Sequence, residues 1–127
     1  MYDYISGKIT HATATYLVVE ANGVGYQLQV SLQTYSKLKD AQSAKVYTHL
    51  SIKEDAHLLF GFADEDERQL FRHLISVSGV GPGTARVMLS SLSTTELQRA
   101  ITTGNVDVKK KIKGIGDKTA QRIVIDL

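Results

Sequence analysis

The chain carries an internal repeat, and this feature most restricts what it can fold into. At an offset of 35 positions, Gly79-Val80-Gly81 falls on Gly114-Ile115-Gly116 and Thr84-Ala85 on Thr119-Ala120. Val77 likewise falls on Ile112, and Met88-Leu89 on Ile123-Val124. Each copy reads apolar-x-Gly-apolar-Gly-x-x-Thr-Ala between stretches of helical pattern. Five of the ten glycines lie in these copies, counting Gly83. A Gly-apolar-Gly turn can plug its central residue into the core between two helices. Its glycines let a ligand come within hydrogen-bond distance of the backbone. The first N–H groups of the following helix lack internal partners, so such a turn suits a phosphate. This is the pattern of a helix-hairpin-helix, and two copies in register, each followed by basic residues, make it specific. Such a motif holds phosphates and reads no base sequence.

The flanking sequence predicts helices. Asp64 is placed to cap one, with Glu65, Asp66 and Glu67 at the positive end of its dipole and Leu70, Phe71, Leu74 and Ile75 on one face. Pro82 fits a first helical turn. Ser93-Thr94-Thr95-Glu96 is a capping box, with Leu97, Ala100 and Ile101 facing inward. Asn105 is placed to cap a short helix through Lys111, and another helix starts near Asp117. That last pattern reaches Leu127 without a closing glycine, which predicts further sequence beyond it.

Residues before 63 follow a different period. Ile5, Gly7 and Ile9 alternate with polar neighbours, Tyr16 to Val19 is a short apolar run, and Tyr26, Leu28 and Val30 alternate again. Asn22-Gly23 between the second and third runs is a strong hairpin signal. Leu32 to Leu38 fits one or two helical turns, and Val46 to Ile52 and His57 to Phe62 read as strands. The predicted fold class is therefore α+β. A small five-stranded barrel over residues 1–62, with an oligonucleotide-binding (OB) barrel the leading candidate, precedes a helical domain over 63–127 with tandem helix-hairpin-helix motifs.

Charge divides at the same place. Residues 1–62 hold five lysines and five acids, whereas from Arg68 to Ile125 ten basic groups face three acids, a net of +7. This fits either a footprint for a polyanion or a solvated helical surface. The chain has no cysteine, which excludes a disulfide scaffold and a thiolate metal site. No apolar run approaches the ~18 residues of a membrane span, and the N-terminus does not read as a signal peptide. A soluble protein of a reducing compartment, the cytoplasm, is expected, without membrane partners. His11, His49, His57 and His73 have no ligand spacing, no serine sits in a nucleophile elbow, and Gly116-Asp117-Lys118-Thr119 lacks the spacing of a P-loop. No catalytic residue, metal site or cofactor is expected.

Over its whole length the chain resembles the RuvA family of bacterial Holliday-junction-binding proteins. The resemblance is carried by Asn22-Gly23-Val24-Gly25-Tyr26, by Thr48-His49, by the segment from Lys53 to Phe62, and by Gly79-Val80-Gly81-Pro82 and Gly114-Ile115-Gly116 with Lys118-Thr119-Ala120. It implies a non-catalytic homotetramer that holds a four-way junction open and flat, alone or as two tetramers enclosing it. ATP hydrolysis then belongs to the motor RuvB, contacted through a further domain, and the resolvase RuvC is a second partner. Phosphates would be held by Gly79, Val80, Gly81, Gly83 and Thr84 and by Gly114, Ile115, Gly116 and Thr119, with charge from Lys118 and Arg122. Relatives often carry lysine where this chain has Gly83 and Asp117. Lys109, Lys110, Lys111 and Lys113 either compensate or form a solvated edge. Glu54 and Asp55 match the family's acidic pin, four of which surround the junction centre. Two other readings compete. One is a helix-hairpin-helix scaffold that binds duplex without junction preference. The other is a base-excision glycosylase, disfavoured because Asp126 is the only acid after the second hairpin and no chain remains for a base pocket.

Overall fold

The computed structural model describes residues 2–103. Two compact units divide the chain, Met1–Arg68 and Gln69–Leu127.

Five strands build the first unit: β1 (Tyr4–Ala12), β2 (Tyr16–Ala21), β3 (Val24–Gln29), β4 (Ser43–Ile52) and β5 (His57–Phe62), with helix α1 (Leu32–Leu38) between β3 and β4. They close into a barrel in the order β1-β2-β3-β5-β4. All neighbours run antiparallel except β3 and β5, which are parallel. A five-stranded barrel closed in this way, with its helix before β4, is OB-like, as the alternation predicts. β1 is shared between two neighbours: Tyr4 to Lys8 pair with β4, and Lys8 to Ala12 pair with β2. A bulge between Ile9 and His11 accompanies the change of partner, because an extra residue bends and twists a strand. Asn22 (φ 53°) and Gly23 (φ 81°) take the positive φ that a two-residue type I′ hairpin requires. Ile5, Leu17, Val19, Leu28, Val30 and Val46 form the buried core of the barrel.

The helices that follow are α2 (Glu65–Ile75), α3 (Pro82–Ser91) and α4 (Thr94–Thr103). The unit boundary falls inside α2, whose first turn belongs to the barrel unit. Leu70, Phe71, Leu74, Val77, Val80, Ala85, Met88, Leu89, Leu92 and Leu97 are buried. The capping box at α4 is reciprocal: the Glu96 N–H donates to Ser93 Oγ, and the Ser93 N–H donates to Glu96 Oε1, both at 3.1 Å. The predicted helices from Asn105 and from Asp117 lie outside the described residues.

Glu65, Asp66 and Glu67 lie in the first turn of α2, as expected from its dipole, and three of the four acids from Asp64 to Glu67 are also bound. The Asp64 carboxylate pairs with Lys37, and Glu65 pairs with Arg68. Glu67 is fully buried, accepting hydrogen bonds from Ser31 Oγ (2.5 Å) and Thr34 Oγ1 (2.6 Å). Burial pushes its pKa above the ordinary value, against the two hydroxyl donors that lower it. Arg68, counted above with the basic footprint, is also buried. It donates to Asp3 Oδ1 (2.9 Å), to the carbonyls of Asp3 (2.7 Å) and Thr48 (3.3 Å), and to Glu65. Its charge is spent fixing the first turn of α2 to Asp3, just before β1, and to β4, so it leaves the surface footprint.

Candidate nucleic-acid interface

The first repeat forms the turn between α2 and α3. The Val80 N–H donates to the Val77 carbonyl at 3.1 Å, closing a four-residue turn. Gly79 sits at its third position with φ +90°, where a type II turn demands positive φ. Val80 is buried, as the plug reading requires. Gly81 then caps α3 in an extended conformation (φ −91°, ψ 173°), with Pro82 in the first helical turn. Of the two glycines only Gly79 has positive φ. Gly81 serves a different end: a Cβ there, or at Gly83, meets no atom within 4 Å.

The backbone therefore fronts open space at the N-terminus of a ten-residue helix. The Gly81 carbonyl accepts the first helical bond, from Ala85 (3.0 Å), and no side chain caps the helix. No acceptor among the described residues takes the N–H groups of Gly81, Gly83 and Thr84. Gly81 and Gly83 are exposed and Thr84 is half-buried. Three amides at the positive end of a helix dipole, with no side chain in front, can bind an anion and hold it close to the backbone.

Glu54 and Asp55 form the two-residue turn between β4 and β5. Lys53 and Ala56 exchange backbone hydrogen bonds across it, at 2.8 and 3.4 Å, and both acids are exposed at the tip. Neither has positive φ. The second repeat (Gly114, Ile115, Gly116, Lys118, Thr119 and Arg122) lies outside the described residues. Among the described residues no group of His, Asp or Glu has the arrangement of a metal site, and no helix is long and apolar enough to cross a membrane.

A five-stranded OB-like barrel followed by a tandem helix-hairpin-helix is a nucleic-acid-binding architecture. Residues 1–61 match the RuvA N terminal domain, and residues 71–127 match the SAM-like helix-hairpin-helix tandem. All 127 residues align with proteins named Holliday junction branch migration complex subunit RuvA, at 52% identity in Cytophaga hutchinsonii, 50% in Christiangramia forsetii and 49% in Bacteroides fragilis. The chain belongs to the RuvA family. It spans 64%, 66% and 63% of the length of those three relatives.

Two features escaped the sequence reading. The buried Glu67 was disguised as one of four acids. Its spacing of three, four and seven residues from Leu70, Phe71 and Leu74 marks it as a member of the apolar face. The exposed Ile52 beside the acidic turn looks in sequence like any strand residue.

Proposed function

We propose that this chain binds four-way junction DNA by its backbone, independently of sequence, as the DNA-binding subunit of a branch-migration complex. The observation that carries the proposal is the hairpin at Gly79 to Thr84, whose helix has no side-chain cap and whose Gly81 and Gly83 front open space. A phosphate oxygen entering it receives hydrogen bonds from Gly81, Gly83 and Thr84, and Gly79 and Val80 shape the turn. By the repeat, Gly114, Ile115, Gly116 and Thr119 do the same, with Lys118 and Arg122 adding charge. Residues 1–62 assemble the homotetramer and carry the acidic pin, and residues 63–127 grip the arms. One tetramer holds the open junction on one face, and two enclose it. Glu54 and Asp55 repel phosphates from the centre, where an open junction has a hole and a linear duplex would have to pass. The chain itself is not an enzyme. ATP hydrolysis belongs to RuvB, RuvC acts on the same junction, and the complex works in the cytoplasm.

Competition tests this reading. Labelled four-way junction is bound by the protein and challenged with unlabelled junction or with linear duplex of equal length. Displacement by junction at far lower concentration is expected. Equal displacement by both would favour a general duplex-binding scaffold.

A further inference from the structure

We propose that the β4–β5 tip is a wedge whose two faces press apolar side chains against the base pairs bordering the junction centre. The proposal rests on the junction reading above.

Residues facing each other across an antiparallel pair share a face, and successive residues alternate. On one face of β4, Val46 and Thr48 are fully buried, Leu50 is half-buried, and Ile52 is 61% exposed. The inward stripe thus runs out past the barrel rim and ends on Ile52, opposite His57. The other face carries Leu58, 38% exposed and opposite Ser51. Ile52 is the most exposed large apolar side chain among the described residues. The tip is accordingly a blade: two carboxylates beside Lys53 on its leading edge, Ile52 with His57 on one side and Leu58 with Ser51 on the other.

Charge decides what such a blade can touch. Glu54 and Asp55 outweigh the neighbouring exposed Lys53, so the tip carries net negative charge and disfavours close approach of phosphates. Base pairs at the end of a stack are uncharged and present flat apolar faces. Apolar side chains inserted at base steps unstack them in other nucleic-acid complexes. Ile52 and Leu58 fit that role, each meeting the innermost pair of an arm while the carboxylates hold the strands apart.

The test places 2-aminopurine, which brightens on unstacking, in the innermost base pair of each junction arm. Fluorescence is read at saturating protein, so any loss of affinity drops out of the comparison. The wild-type chain should raise it. Ile52→Ser and Leu58→Ser should each lose half or more of the rise, and Ile52→Val should keep most of it. Full fluorescence with both serine variants bound overturns the wedge alone. Serine variants that lose self-association in light scattering overturn it in favour of an interface between copies. A wild-type chain that binds no junction overturns the junction reading and the wedge together.

Discussion

Replacing Gly81 by alanine separates binding from folding. Its backbone (φ −91°, ψ 173°) is open to any residue, and a Cβ there meets nothing within 4 Å. The substitution should therefore leave the fold intact and, by restricting the unfolded chain, stabilise it by about 0.4–1 kcal/mol. The added methyl occupies the space through which a phosphate oxygen reaches the amides. Losing one hydrogen bond to a charged group costs about 1.5–3 kcal/mol. At 1.4 kcal/mol per tenfold, the junction dissociation constant should rise roughly 10- to 150-fold. Gly79→Ala makes the opposite control: at φ +90° a side chain is strained, and stability should fall by about 1–2 kcal/mol. Urea unfolding and junction titration of both variants give the comparison. Gly81→Ala binding as tightly as wild type would refute phosphate capture at this hairpin. Gly81→Ala unfolding early would refute the assignment of strain to Gly79.

Further outcomes follow from the same geometry. Glu67 has a raised pKa when folded, so above its ordinary value near 4.5 the folded state holds more protons than the unfolded one. Its contribution is fully present below that value and is lost as pH rises through the raised one. Glu67→Gln should flatten that part of the profile of urea midpoint against pH, and an unchanged profile would contradict the buried-carboxylate account. Glu67→Ala strands two buried hydroxyls and should cost about 2–4 kcal/mol. Ser93→Ala removes one half of the α4 capping box and should lower stability by about 1 kcal/mol at unchanged urea m-value. Junction affinity should fall with salt at a log–log slope of about −0.9 per phosphate neutralised by Lys or Arg, several units in all, whatever the arm sequence. A flat response would argue against backbone binding.

The barrel was legible because its strands announce themselves. Asn22-Gly23 is a strong signal for a tight hairpin, and the alternation of Tyr26, Leu28 and Val30 marked the side of β3 that faces the core. The helix bounds were legible at Pro82 and at Ser93-Glu96, where capping chemistry is local. What escaped notice depends on long-range contact. Glu67 is buried because Ser31 and Thr34, more than thirty positions away, supply hydroxyls that a local reading of four acids cannot foresee. Arg68 leaves the surface for the same reason, held by Asp3 and the Thr48 carbonyl. The hairpin was legible as a motif, but its division of labour was not. Two glycines two positions apart look alike in sequence. Only backbone angles separate Gly79, which makes the turn, from Gly81, which leaves room for a ligand.

In the proposed function, hairpins hold phosphates while Glu54 and Asp55 deny the centre to duplex. The most direct test is the ratio of junction to duplex affinity in wild type and in Glu54→Gln/Asp55→Asn, measured at two salt concentrations. Both acids are exposed at the turn, so the double change should leave the barrel folded. Duplex binding should strengthen more than junction binding, shrinking the ratio. The change should be smaller in high salt, because exposed charges are screened beyond ~8 Å at physiological ionic strength. A ratio that stays the same at both salt concentrations would contradict the claim and reduce the acidic tip to an ordinary polar turn.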